Sequence, residues 1–153
     1  MATIKNFEEL DVWKLSMELS RDIYKVIKET ELNNDYSLRN QIDRSAMSVS
    51  DNIAEGFERE GNKEFIHFLS IAKGSCGEVR SQLFKVKDRN YISEKDFSLF
   101  KEKTIVISKK ISSFMSYLKS SDYKGNKFQE SEMEYNTQNI KHQISNTEHK
   151  LYF

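Results

Sequence analysis

Four separate stretches of the chain repeat apolar residues at alternating spacings of three and four, and the chain contains no proline to interrupt them. This period matches the 3.6 residues per turn of an α-helix, so each stretch predicts one helix with a single apolar face. The predicted faces are, in chain order, Leu10, Trp13, Met17, Ser20, Tyr24 and Ile27, widened by Leu19 and Ile23; Leu38, Ile42, Ala46, Val49, Ile53 and Phe57; Phe65, Leu69, Ala72, Cys76, Val79, Leu83 and Val86; and Phe97, Phe100, Thr104, Ile107, Ile111, Phe114 and Leu118. Because each face needs a partner, the four helices are expected to pack together.

Short polar segments separate these helices. The boundary residues are Asn33, Asn34 and Asp35, then Gly61 with Asn62, then Asn90, and finally Ser93 with Asp96. The last pair, Ser93 and Asp96, resembles a capping box at the start of the fourth helix. Short connections make consecutive helices antiparallel neighbours, which predicts an all-α fold, an antiparallel up-down-up-down four-helix bundle. We assign residues 1–122 to this bundle. Residues 123–153 are rich in Asn, Gln, Ser, Glu and Lys and are predicted to form a polar, flexible C-terminal tail.

The charges of the chain balance, with 24 basic and 24 acidic side chains. A neutral chain is not drawn to nucleic acid as a whole, so such binding would need a local basic patch. The single cysteine, Cys76, excludes an intramolecular disulfide and is expected to be an inert core residue. No apolar run reaches the roughly 20 residues that span a bilayer, and the N-terminus lacks the apolar core of a signal peptide. We therefore expect a cytoplasmic protein that does not contact membranes.

A stripe of small residues lies on the third helix, opposite its apolar face: Ser70, Gly74, Gly77 and Ser81. Glycine inside a helix costs about 1 kcal/mol relative to alanine, and the usual reason for it is close approach of another backbone. Since the other face of this helix belongs to the core, the approaching helix would come from another subunit. The stripe therefore predicts a homo-oligomer interface. The alternative is that small residues are merely tolerated on a solvated face.

Basic residues form a second row on the third helix. Lys73, Arg80 and Lys87 follow one another at intervals of seven, and the second helix adds Arg39 and Arg44. Such cations can neutralise phosphates without reading sequence, so these five residues are the predicted nucleic-acid contacts. The alternative is an ordinary solvated face, which the acidic residues nearby favour.

The second helix also carries a polar row beside its apolar face: Ser45, Ser48, Asn52 and Glu55. Polar residues at this period are expected to be half-buried and hydrogen-bonded to one another, to a neighbouring helix or to another subunit. We interpret the row as a structural network rather than as a catalytic one.

The sequence predicts no catalytic residue, metal site, cofactor or small-molecule substrate. A phosphate-binding loop needs glycines between a strand and a helix, whereas Gly74 and Gly77 lie inside a helix. A di-iron bundle needs Glu-x-x-His on two helices, and only Glu64 to His67 matches. Small helical RNases that resemble toxins pair an arginine with a histidine at a shorter spacing than that between Arg59 and His67. The protein is therefore predicted to be non-enzymatic.

Two long motifs give the chain a family resemblance. Residues 41–56 read QIDRSAMSVSDNIAEG and residues 65–75 read FIHFLSIAKGS, after an opening segment from Phe7 to Trp13. Together they resemble the signatures of four-helix-bundle proteins encoded in intervening sequences of bacterial 23S ribosomal RNA genes. The resemblance covers about Phe7 to Leu118. Asp43 stands where the family often has a second arginine, and Ser50 stands where proline is common.

The resemblance implies an antiparallel bundle that assembles into a homopentameric ring and has no established enzymatic activity. Related accessory proteins of diversity-generating retroelements are thought to bind nucleic acid and a reverse transcriptase through such a ring. The leading hypothesis is thus a non-enzymatic, ring-forming protein that binds structured RNA or a nucleoprotein partner. The alternative is a structural or protein-interaction scaffold that binds no nucleic acid.

Overall fold

The computed structural model describes residues 3–121 and 128–129. Its four long helices are α1 (Asp11–Glu29), α2 (Tyr36–Glu58), α3 (Asn62–Asp88) and α4 (Glu94–Ser120). Each helix packs antiparallel against the next, and α4 also packs against α1. The predicted all-α, up-down-up-down bundle is confirmed. Because Lys103 of α4 bonds Glu18 of α1 at 3.1 Å and also bonds Asp22, ion pairs support the contact between the first and last helices.

A small strand pair lies outside the bundle. Strand β1 (Thr3–Ile4) pairs antiparallel with β2 (Phe128–Gln129), with Thr3 opposite Gln129 and Ile4 opposite Phe128. The sequence analysis did not predict this pair, because two-residue strands show no hydrophobic alternation. Apart from β2, the predicted tail at 123–153 lies outside the described residues. The division into 1–122 and 123–153 therefore stays a prediction.

The predicted apolar faces of α2, α3 and α4 form the core. Every predicted face residue on α2 and α3 is buried, and on α4 only Phe100 is partly exposed. The predicted face of α1 is confirmed in part. Its members Leu10, Leu19, Ile23 and Ile27 are buried, whereas Tyr24 is 55% exposed and Trp13, Met17 and Ser20 are only partly buried. The buried residues of α1 are Val12, Ser16, Leu19, Ile23 and Ile27. Ser16 is tolerated there because its hydroxyl donates to the Val12 carbonyl at 2.6 Å.

Local hydrogen bonds set the helix ends. Ser93 accepts from the Asp96 backbone N–H at 3.1 Å, which confirms the predicted start of α4. Gly61 precedes α3 with φ of 89°, a conformation that glycine adopts without steric strain. Asn62, a predicted boundary residue together with Gly61, is the first residue of α3 and donates from Nδ2 to the Leu118 carbonyl at 3.1 Å. It therefore ties the start of α3 to the end of α4.

Asp35 caps α2 and also fixes the loop between α3 and α4. Its carboxylate accepts from the Leu38 backbone N–H at 3.4 Å, from the Tyr91 hydroxyl at 3.0 Å and from the Arg89 guanidinium. The Arg89 hydrogen bond is the main reason that the pKa of Asp35 lies below its ordinary value of 3.8. One carboxylate thus joins three segments of the bundle.

Asp35→Asn is expected to lower the melting temperature at pH 7, and the difference from wild type should shrink in acid. Asparagine keeps the cap but loses the charge that Arg89 binds. Because the pKa of Asp35 is depressed in the folded state, its charge stabilises the fold above about pH 3.8, and this contribution is lost as the pH falls through the folded-state pKa. Thermal melts by circular dichroism from pH 7 to pH 2 would measure the difference. A constant difference, or an equal one for Asp51→Asn at an exposed position of α2, would contradict the prediction.

Candidate nucleic-acid interface

Three of the five predicted nucleic-acid contacts lie along one side of α3. Lys73, Arg80 and Lys87 are separated by seven residues, nearly two helical turns, so their side chains leave the helix in similar directions. Lys73 is exposed, and Arg80 and Lys87 are partly buried. The Lys87 ammonium lies 3.2 Å from the Glu94 carboxylate, a pair that joins the end of α3 to the start of α4.

An aromatic pair lies beside Lys87, at the C-terminal end of this basic row. Phe84 is 44% exposed, and its ring centre is 4.9 Å from that of the buried Phe97, with the ring planes at 68°. The Lys87 ammonium lies 4.6 Å from the centre of the Phe97 ring. The Lys101 ammonium lies 5.8 Å from the centre of Phe84 and 6.0 Å from that of Phe97. We call Phe84, Phe97, Lys87 and Lys101 the cationic-aromatic cluster.

Two members of this cluster, Phe84 and Lys101, were not predicted from the sequence. Phe84 follows Leu83 and falls outside the apolar face of α3. A large apolar side chain outside the core face is unusual, so the sequence alone could have indicated Phe84 as an exposed aromatic residue. Lys101 lies on α4, and only the packing of α3 against α4 brings it to Phe84. A row of charges along one helix is visible in a sequence, whereas a group shared by two helices requires their relative placement.

The other two predicted contacts do not join this row. The Arg39 guanidinium lies 4.6 Å from the centre of the Tyr36 ring and donates to the Asn33 carbonyl at 2.8 Å, at the start of α2. Arg44 lies on α2 beside a groove between α2 and α3, together with Lys85. The five predicted residues therefore belong to different parts of the surface, and the three on α3 form the coherent set.

Three of the four members of the polar row of α2 are hydrogen-bonded as predicted, Ser45 and Ser48 to α3 and Asn52 to Ser48. The Ser48 and Ser75 hydroxyls lie 2.9 Å apart across the two helices. Asn52 donates to the Ser48 carbonyl at 2.8 Å and to the Ser48 hydroxyl at 2.9 Å. Glu55 does not take part, because its carboxylate is exposed and pairs with Arg59 at 2.8 Å.

The same contact between α2 and α3 widens into a groove of about 400 Å³. The groove is lined by Gln41, Arg44, Ser45, Glu78, Ser81, Gln82 and Lys85. Ser45 lies 3.1 Å from the Glu78 carboxylate and accepts from Gln82 Nε2 at 3.1 Å. Among the described residues, Gln82 Oε1 is buried without a hydrogen-bond partner. The groove is polar and carries charges of both signs, which makes it less suited to phosphate than the row on α3.

The small-residue stripe of α3 is on the surface. Ser70, Gly74 and Ser81 are exposed and Gly77 is partly exposed. Within the part of the chain that the structure describes, a Cβ placed on Gly74 or Gly77 would have no neighbour within 4 Å. The close approach that would explain these glycines is therefore absent within one described chain, and the subunit interface stays a prediction.

A close approach between helices does occur at another glycine. A Cβ placed on Gly56 would lie 2.7 Å from Phe68 Cβ and 2.8 Å from Phe65 Cδ2. Real Cβ atoms essentially never come this near to another heavy atom. Gly56 thus permits the approach of α2 and α3, a role that the sequence analysis did not assign to it.

Cys76 and Arg59, which were considered for catalysis, make contacts that stabilise the fold. Cys76 is buried and its thiol donates to the Thr104 carbonyl at 3.2 Å, while burial raises the pKa of the thiol to about 11. A neutral, buried thiol is a poor nucleophile, in agreement with the predicted inert role. Arg59 is held by Glu55, with its guanidinium 5.3 Å from the centre of the Phe68 ring. Among residues 3–121 no His, Cys, Asp and Glu side chains cluster as metal ligands would, and no described helix could cross a membrane.

The bundle is similar to a solved structure and to a known protein family. A crystal structure of a protein with unknown function from the S23 ribosomal protein family, from Bacteroides thetaiotaomicron VPI-5482, is 25% identical with a TM-score of 0.62. The match covers 68% of this chain and 97% of that one. No curated protein matches the chain. The family model described as 23S rRNA-intervening sequence protein matches residues 8–113, well over half of the chain, so the protein belongs to the 23S rRNA-intervening sequence protein family.

Proposed function

We propose that the protein is a non-enzymatic, ring-forming helical protein that binds structured RNA, alone or within a nucleoprotein partner. The observation that carries this proposal is the row of Lys73, Arg80 and Lys87 on one side of α3, with Lys101 of α4 beside its end. The chain has no net charge, so a local row of cations on one side creates a positive surface that the overall composition hides.

The length of this row suits an extended polyanion. Seven residues span about 10 Å along a helix, so the three cations of α3 cover about 20 Å. A nucleic-acid strand rises roughly 3.4 Å per nucleotide, and a row of this length therefore meets several phosphates of one strand. Cations placed in this way supply affinity and orientation without selecting a base sequence.

A scaffold that binds no nucleic acid is the second candidate. It is favoured by the exposed stripe Ser70, Gly74, Gly77 and Ser81, which leaves open space for a neighbouring helix and requires no RNA. In this case the basic row would only be solvated. The two candidates share the proposed ring and differ in the role of the basic row, so RNA binding separates them.

Neutralising the row by Lys73→Gln, Arg80→Gln and Lys87→Gln together is expected to weaken RNA binding about 50-fold at about 0.15 M salt. Each phosphate contact to a single strand contributes about 0.7 to the slope of log K against log salt, so three lost contacts should reduce this slope by about two. Fluorescence anisotropy with a labelled RNA hairpin that has a long unpaired loop, measured over a range of salt concentrations, gives both values.

The matched control removes the same charge from the exposed side of α1, by Lys14→Gln, Arg21→Gln and Lys25→Gln. This variant should retain most of the affinity, because α1 lies away from α3 in the bundle. An equal loss in both variants would show that only net charge counts. Absence of RNA binding by the wild type at about 50 mM salt would remove the proposal in favour of the scaffold.

A further inference from the structure

We propose that Phe84 is a stacking platform for an unpaired RNA base, and that Lys87 and Lys101 bind the phosphates on either side of that base. The inference rests on the proposed RNA binding and specifies its substrate class. The protein would favour RNA with unpaired bases, such as a loop or a single strand, over a continuous duplex.

Phe84 presents an exposed aromatic ring on α3. It lies outside the apolar face of the helix and is 44% exposed, whereas that face is buried, with Leu83 and Val86 at 0%. Its ring packs against Phe97, which is 5% exposed and lies 4.9 Å away at 68°. An edge-to-face contact of this kind favours one ring orientation. Phe84 thus combines a fixed orientation with a large apolar surface open to solvent.

Two lysine side chains lie beside the rings of Phe84 and Phe97. The ammonium groups of Lys87 and Lys101 lie 4.6 Å and 5.8 Å from the centres of Phe97 and Phe84, respectively. These distances are within the range of cation–π attraction, which holds both cations beside the rings. Lys87 pairs with the Glu94 carboxylate at 3.2 Å, and Glu94 is itself largely exposed, so a phosphate can replace it at little cost.

A single-stranded nucleic acid fits both the exposed ring and the cations beside it. Proteins that bind single strands combine a cationic track for the backbone with aromatic side chains on which the bases stack. A duplex hides the faces of its bases within the stack, so only an unpaired base can lie on Phe84. The basic row that starts at Lys73 and continues through Arg80 leads along α3 to this ring. A strand following the row would place about every third phosphate on a cation and one base on the platform.

The test compares two labelled RNAs of the same sequence, a single strand carrying 2-aminopurine and its blunt duplex. Wild-type protein should bind the single strand more tightly and change its 2-aminopurine fluorescence. Phe84→Leu should bind the single strand about tenfold more weakly, lose the fluorescence change, and bind the duplex as the wild type does. Phe84→Tyr keeps an aromatic ring and should behave as the wild type, which separates stacking from damage to the fold. Tyr24→Leu removes an exposed ring from α1 and should have no effect.

Failure of the platform and failure of RNA binding give different results. If Phe84→Leu leaves single-strand affinity unchanged while the triple glutamine variant of α3 weakens it, the platform is wrong and the proposed function stands. Equal weakening for the single strand and the duplex also overturns the platform. If Phe84→Leu changes the oligomeric mass and leaves RNA affinity unchanged, the Phe84 side chain belongs to a subunit contact and not to an RNA site. If the wild type binds neither RNA, both proposals are wrong.

Discussion

Replacing Gly56 by leucine is expected to reduce the free energy of unfolding by about 3 kcal/mol or more, the upper end of the usual cost of overpacking. Even the first added carbon would lie 2.7 Å from Phe68 Cβ and 2.8 Å from Phe65 Cδ2. The Phe68 contact decides the size of the effect, because a Cβ is attached to the backbone and cannot rotate away. Relief requires α2 and α3 to separate, and most domains have only 5–15 kcal/mol of stability to lose.

Alanine gives a matched comparison at two glycines. At Gly56 it gains about 1 kcal/mol of helix propensity but incurs an overpacking cost of about 1–3 kcal/mol, so a net loss of about 1 kcal/mol is expected. At Gly74 the described residues leave a new Cβ without a neighbour within 4 Å, so Gly74→Ala should stabilise the monomeric bundle by about 1 kcal/mol. Urea unfolding at a protein concentration low enough to keep all the proteins monomeric measures both changes without a contribution from assembly. Equal stabilisation by the two substitutions would contradict the close approach at Gly56.

The glycines inside the helices show which packing contacts can be predicted from the sequence and which cannot. The sequence shows which glycines lie inside helices, but it cannot indicate which of them has a close neighbour within the chain. Gly56 has that neighbour because it lies on the side of α2 that faces α3. Gly74 and Gly77 lie on the exposed part of α3, where a neighbour can come only from beyond the described residues of one chain.

The cores of α2, α3 and α4 were predictable because each of these helices has one dominant apolar face. The α1 helix has apolar residues on two adjacent sides, so its predicted face combined the buried Leu19, Ile23 and Ile27 with aromatic and methionine side chains that lie at the edge of the core or outside it. Trp13 and Met17 are long enough to be half-covered at the edge of the core. Ser16 was not recognised as a core residue, because its burial depends on a hydrogen bond to its own helix at 2.6 Å.

The candidate interface was partly predictable for a similar reason. Lys73, Arg80 and Lys87 share one helix, and helical periodicity alone places them in a row. Phe84 and Lys101 come together only through the packing of α3 on α4, with the ammonium 5.8 Å from the ring centre. Contacts within one helix can be derived from spacing, whereas contacts between helices depend on their rotation and register.

Gly74→Leu is expected to convert the proposed ring into monomers while leaving the fold of each chain intact. Leucine is a good helix former, and within the described part of the chain it meets no neighbour at this position, so the isolated bundle should be at least as stable as the wild type. In a subunit contact built on Ser70, Gly74 and Gly77, the same side chain would hold the partner helix away. Light scattering should therefore change from a multiple of 18.0 kDa, fivefold for a pentamer, to 18.0 kDa itself.

The matched control is Ser37→Leu, which adds the same side chain at an exposed position in the first turn of α2 and should leave the mass unchanged. A wild type that is already monomeric, or a Gly74→Leu variant with unchanged mass, would show that the small-residue stripe is not an interface. RNA binding provides the second measurement. A ring places several copies of the basic row at high effective concentration, so monomers should lose avidity for a long RNA while their affinity for a short strand is retained. If Gly74→Leu lowers the mass of the assembly but leaves the avidity for long RNA unchanged, each bundle binds RNA independently of the proposed oligomeric ring.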